Sequence, residues 1–191
     1  MNKVTNILIV GVGGQGTILA SKVLGQVAQG LGKEVKVSEI HGMSQRGGSV
    51  VTQVRFGEKV YSPVIGVGSA DVILAFEKLE ALRWLPYLAP DGVIIVNDQE
   101  IDPMPVITGA ADYPEDIYGA LKTVAKTIVV PALEMAKKAG SAKAVNIVLL
   151  GVLANILNLA QESWLKAIEE LVPPKTIEIN KAAFRAGFSF E

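Results

Sequence analysis

Two stretches of this 191-residue chain carry the residue types and spacings most suited to chemistry: Gly11-Val-Gly-Gly-Gln-Gly16 and Glu39-Ile-His-Gly-Met-Ser-Gln-Arg-Gly-Gly-Ser49. In the first, Gly11, Gly13 and Gly16 satisfy G-x-G-x-x-G directly after a β-rich run and before a helical one, the context that motif requires. The first glycine permits a tight turn, the second lets a pyrophosphate near the backbone, and the third lets helix and strand pack closely. With Gly14, these are the candidate cofactor-binding positions, the helix N-terminus facing the anion. Glu39, near the end of the next strand, stands where an acid would hold a ribose. A strand-to-helix turn packed against a neighbouring subunit would need the same small residues.

The second stretch is a dense polar loop at the carboxyl end of a strand, where open α/β sheets bind their ligands. Glu39, His41, Gln45, Arg46 and Ser49 supply donors and acceptors of several kinds, and Gly47 and Gly48 allow another backbone to approach. Arg46 could form paired hydrogen bonds to a carboxylate or phosphate that a lysine could not reproduce. A solvated connecting loop is the plainer alternative, but so many recognition-competent side chains favour a partner-facing or active-site role.

Other polar residues promise less. Glu77, Glu80 and Arg83 lie three apart on one helix, where an exposed ion pair of little energetic weight is expected. Asp98 and Asp102 read as loop acids, and Trp84 and Trp164 as core or interface residues. Ser44 and Ser49 have a single histidine near them and no triad acid, which argues against a hydrolase. With no cysteine in the chain, disulfides, thiolate catalysis and a Cys-ligated iron–sulfur cluster are excluded, and one histidine cannot build a zinc site from several imidazoles. A net charge of −1 without a Lys/Arg run argues against a nucleic-acid surface.

The elements that must position these groups follow from periodicity. Half of the chain is hydrophobic, mostly Val, Ile, Leu and Ala, which suits strands covered by helices on both faces. Strands are expected at Val4–Val10, Val35–Ile40, Ser49–Phe56, Asp71–Phe76, Gly92–Asn97 and Thr127–Val130, with Val60–Ile65 folding back on Ser49–Phe56 as a hairpin. Helices are expected over Thr17–Gly30, Lys78–Tyr87 and Asp116–Ala125, then through Ala132–Ala139, Ala144–Leu159, Glu162–Leu171 and Glu178–Gly187. The proline-rich connection Asp102–Pro114 allows a short strand at Val106-Ile107. The uncharged run Ala144–Gln161 contains three asparagines and a glutamine, so it reads as a buried helix and not a membrane span. Nothing at the start resembles a signal peptide, and a cytoplasmic location is expected. The whole is an α/β fold in a single domain over 1–191: a Rossmann-like, mostly parallel sheet with a β-hairpin insertion and a helical C-terminal part.

Together, the glycine loop, the block Glu39-Ile-His-Gly-Met-Ser-Gln-Arg-Gly-Gly-Ser-Val50 and Val54-Arg55 resemble the gamma domain of 2-oxoacid:ferredoxin oxidoreductases. Ala70-Asp-Val-Ile-Leu-Ala-Phe-Glu-Lys-Leu-Glu-Ala-Leu-Arg83 and Asn180-Lys-Ala-Ala-Phe-Arg-Ala-Gly-Phe188 are most similar to the indolepyruvate beta subunit. The likeness spans nearly the whole chain, and its polar block is far more specific than its glycines. It implies a subunit of an enzyme that oxidatively decarboxylates a 2-oxoacid to an acyl-coenzyme A, with ferredoxin as acceptor. Thiamine diphosphate, magnesium and iron–sulfur clusters are implied on a larger alpha subunit, with no cofactor bound by this chain alone. This sequence lacks the Gly-Asp-Gly…Asn-Asn pattern for magnesium diphosphate, which agrees with that division. A pyruvate or 2-oxoglutarate gamma subunit, a free-standing NAD(P)- or flavin-binding Rossmann enzyme, and a ligand-free interaction module are the alternatives.

Overall fold

A computed structural model describes residues 4–41 and 48–190. The chain runs β1 (Thr5–Val12), α1 (Thr17–Gly30), β2 (Glu34–His41), β3 (Ser49–Gly57), β4 (Ala70–Ala75), α2 (Lys78–Trp84) and β5 (Leu88–Asn97). A single helical turn α3 (Met104–Ile107), α4 (Ile117–Val124) and β6 (Lys126–Val130) follow, and then α5 (Ala132–Lys138), α6 (Val145–Ile156), α7 (Gln161–Leu171) and α8 (Ile177–Phe188).

The six strands form one mixed sheet in the order β2-β3-β1-β4-β5-β6. β1, β4, β5 and β6 are parallel neighbours, while β3 pairs antiparallel with β1 on one side and with β2 on the other. Strand alternation sorts β1 between two cores. Ile7 and Ile9 point to the face covered by α1 and α5–α8, whereas Leu8 and Val10 point to the face covered by α2 and α4. Both faces are therefore dry, and the strand sequence reads as an unbroken apolar run. α6 is buried nearly all round from Asn146 to Ala154, as its uncharged sequence predicts. Among the described residues, no helix is long and apolar enough to cross a membrane.

α6 and α8 cross through Gly151 and Gly187. A Cβ on either glycine would lie against the other helix's backbone, the Phe184 carbonyl oxygen for Gly151 and the Val148 carbonyl oxygen for Gly187.

Two local expectations are overturned. Val60–Ile65 forms no strand, because β3 already has a partner on each edge and Pro63 lacks a ladder donor. The hairpin insertion is instead β2 with β3, in continuous register from Glu34↔Gly57 to His41↔Val50. Val106 and Ile107 belong to a helical turn rather than a strand, with Thr108 Oγ1 donating to the Met104 carbonyl.

Candidate functional site: the carboxyl edge of the sheet

β1 feeds α1 on one face of the sheet and β4 feeds α2 on the other. The ends of β1 and β4 therefore form a topological switch point, the crevice where open α/β sheets place ligands. Here the crevice is spanned by side-chain amides. Gln15 Oε1 accepts from the Val12 backbone N–H at 2.7 Å, and Gln15 Nε2 donates to the Phe76 carbonyl at 3.0 Å and to Gln99 Oε1 at 3.2 Å. Buried Asn97, at the end of β5, donates to the same two oxygens at 3.1 and 2.9 Å. The resulting clasp ties the ends of three parallel strands together.

The glycines serve this clasp. A Cβ on Gly11 would lie 2.7 Å from Gln15 Oε1 and 3.0 Å from Phe76 Cβ, so its smallness makes room for the amide. Gly16, at φ 84°, is the residue before α1, and a Cβ there would come within 2.7 Å of Asn146 Nδ2, which donates to the Gly16 carbonyl. Gly14, at φ 99°, is exposed and faces open space, while Gly13 donates its N–H to the Gly48 carbonyl at 2.9 Å. That last bond joins the glycine loop to the end of the second polar segment.

Glu39 lies one strand further from the glycine loop than the strand after a Rossmann crossover would, because β3 stands between β1 and β2. Its carboxylate accepts from Ser21 Oγ on α1 at 3.0 Å. With Ser21, Lys22, Val35 and Val37 it lines a groove of about 590 Å³ beside the sheet edge. His41 ends β2, and Gln45, Arg46, Gly47 and Ser44 lie outside the described residues.

Glu77 and Glu80 were expected on an exposed helix face, and the structure corrects this: they are 1% and 4% exposed. Glu77 precedes α2, and its Oε2 caps the helix by accepting from the Glu80 N–H at 2.9 Å. Its Oε1 accepts from the Tyr113 hydroxyl at 2.6 Å and from the Ile101 N–H at 3.3 Å. Glu80 takes the Ser49 hydroxyl on Oε2 at 2.5 Å and Arg83 Nε on Oε1 at 3.1 Å. The expected Glu80–Arg83 pair thus exists, but half in the interior, and it anchors the first residue of β3. Two acids three apart followed by an arginine carry no sequence signal of burial. The one available hint was that the strand before them runs directly into the first acid.

Tyr118 donates to Asp98 at 2.6 Å, and Lys78 pairs with Glu100 while its ammonium stands 5.1 Å from the Tyr113 ring centroid. Burial, then the Glu77 carboxylate, pushes the Tyr113 hydroxyl above the usual phenol range. Burial and Asp98 do the same for Tyr118. Both phenols are held as proton donors and neither is poised as a base. Among the described residues no group of three His, Cys, Asp or Glu could hold a metal. The chain's donor set does not fit an iron–sulfur cluster, since no thiolate is available to it.

A doubly wound sheet with a glycine loop and an amide clasp at its carboxyl edge places the fold in the α/β class. The model for the pyruvate ferredoxin/flavodoxin oxidoreductase family matches residues 6–190, and the chain belongs to that family. It is 42% identical to indolepyruvate oxidoreductase subunit IorB of Thermococcus kodakarensis, over 95% of this chain and 93% of that one. It is 32% identical to ketoisovalerate oxidoreductase subunit VorA of Methanothermobacter marburgensis, where 94% of this chain matches only 35% of a longer polypeptide. Among solved structures, the gamma subunit of a keto/oxoacid ferredoxin oxidoreductase from Geobacter sulfurreducens superposes with a TM-score of 0.72 at 25% identity, covering 96% of each chain.

Proposed function

We propose that this chain is the small subunit of an indolepyruvate-type 2-oxoacid:ferredoxin oxidoreductase, located in the cytoplasm and inactive without a larger alpha subunit. The observation that carries the reading is the match at 42% identity with an indolepyruvate oxidoreductase subunit, over 95% of this chain and 93% of that one. Thiamine diphosphate, magnesium and iron–sulfur clusters would be held by the larger subunit, which would pass electrons to ferredoxin and the acyl group to coenzyme A. This chain would contribute shape and contacts and no reacting atom.

In this reading the carboxyl edge is the surface the partner covers. Gly14 offers bare backbone to an approaching chain, and Gly13 is bonded to the segment that carries His41, Gln45, Arg46, Gly47 and Gly48. Gly11 and Gly16 keep the amide clasp and α1 in place, so the glycine loop serves the partner contact in preference to a nucleotide. Arg46 would meet a carboxylate or phosphate at that contact. Truncating a buried charged contact at an interface costs about 2–5 kcal/mol, against about 0.5 kcal/mol for a solvated arginine.

Co-expression with the larger subunit tests both statements. The complex should reduce a viologen dye with an aryl pyruvate and coenzyme A, and the small chain alone should not. Arg46→Ala should leave the small subunit's Tm unchanged and weaken assembly or turnover about tenfold or more. Turnover by this chain alone would refute the division of labour. An Arg46→Ala complex that assembles and turns over like the parent would leave Arg46 a solvated residue.

A further inference from the structure

The segment Glu58–Ser69 joins β3 to β4 at the opposite end of the sheet from the glycine loop, and it has no strand or helix of its own. It is nevertheless fixed throughout by side chains of the strands beneath it. Arg55 Nη1 donates to the carbonyls of Ser62 and Val64 at 2.9 and 3.0 Å, while its Nε donates to Asn6 Oδ1 at 2.8 Å. Buried Gln53 accepts from the Ile65 N–H at 2.5 Å, and Glu34 accepts from the Val60 N–H at 3.0 Å. Val60 and Ile65 plug into the protein at 1% and 2% exposure. Between and beyond these anchors the loop turns apolar side chains outward: Tyr61 is 86% exposed, Val64 58% and Val67 69%.

Polar side chains of the strands thus hold in one shape a loop whose tip is apolar and wet. Such preorganisation favours association, because the ordering cost is met before the partner arrives. We infer that this tethered tip is a second docking surface for the larger subunit, with Tyr61, Val64 and Val67 entering an apolar recess there and Arg55 acting as the positioning residue. A second copy of this chain is disfavoured by area. A stable stand-alone dimer needs roughly 800 Å² from each partner, more than one loop tip supplies, whereas a large partner can add the tip to a composite contact. In the ketoisovalerate relative the matching region fills only 35% of one longer polypeptide, so a region of this kind is found within a larger chain.

This inference rests on the proposed pairing with a larger subunit, and the test separates the two. The two subunits are co-expressed with the small chain as parent, as the triple variant Tyr61→Ser/Val64→Ser/Val67→Ser, as Arg55→Lys, and as the control Met104→Ser/Ile107→Ser, which removes exposed apolar residues elsewhere. The triple variant should keep the parent Tm of the isolated small subunit and show at least tenfold weaker association with the larger one. Arg55→Lys should weaken association in the same direction, and the control should not. Association of the triple variant equal to the parent's overturns the inference alone. Failure of the parent to associate overturns the pairing as well. A concentration-dependent dimer of the small subunit that the triple variant abolishes would assign the tip to self-association and overturn the inference.

Discussion

Glycine meets different needs at two places among the described residues. At the α6–α8 crossing, Gly151 and Gly187 bring backbone against backbone, and any Cβ would strike a carbonyl or amide of the other helix. At the β1 turn, Gly11 lies under the end of a side chain, the Gln15 amide, which can move aside. The first contact has no soft component, whereas the second is soft on the amide side and firm only at Phe76 Cβ, 3.0 Å away. A glycine motif therefore says that space is needed and leaves open what fills it. In this chain two glycines of the β1 motif, Gly11 and Gly16, make room for the protein's own amides, while Gly14 faces open space.

Substitutions can break that contrast, from severe to slight. Gly187→Ala should cost about 3 kcal/mol or more, because neither helix can yield without losing the packing of the other. Chemical denaturation should show a large drop in midpoint or no folded protein, and a near-normal midpoint would mean the helices slide apart cheaply. Glu77→Ala comes next. It removes the cap of α2 and strands the Tyr113 hydroxyl and the Ile101 N–H, at a cost of about 2–3 kcal/mol. Gly11→Ala should cost only about 1–2 kcal/mol, since the neighbour that must shift is mainly a flexible amide. In a double-mutant cycle Gln15→Ala should relieve part of that cost, and strict additivity would show that the Phe76 contact and not the amide sets it.

The smallest effect is a pH dependence. The hydrogen bond from the Val60 N–H, assisted by Lys36 and Lys59, holds Glu34 below its usual carboxylate range. Its contribution is then present above the ordinary glutamate pKa and is lost as pH falls through the lowered folded value. Amide exchange at Val60 should speed up in acid ahead of the core strands, and Glu34→Gln should flatten that acid response. No acid-side change at Val60 in the parent would show that the backbone bond survives protonation.

Much of the scaffold was legible because its signals are local. α1 occupies Thr17–Gly30 as the 3.6-residue spacing predicts, and the helical C-terminal part follows from its periodicity and prolines. Strand pairing was less legible, because it depends on which edges remain free. The Val-Tyr-Ser-Pro-Val-Ile stretch has β-forming composition, yet β3 had no edge left to offer it. In the candidate site, the position of the glycine loop at a strand's carboxyl end could be read directly. The burial of Glu77 and Glu80 could not, for it depends on Ser49, Tyr113 and Ile101, up to 36 residues distant in the chain.

The bond from Asn146 to the Gly16 carbonyl spans 130 residues of sequence, and it bears on the order in which the chain is made. At roughly 5–20 residues per second, about 7–26 seconds of synthesis separate the two residues. For that interval the strand and helix flanking the glycine loop can form, but the amide that braces the turn between them has not yet been made. The loop is thus translated 130 residues ahead of the side chain that braces it. A ribosome stalled before α6 would carry a nascent sheet whose carboxyl edge still lacks that brace.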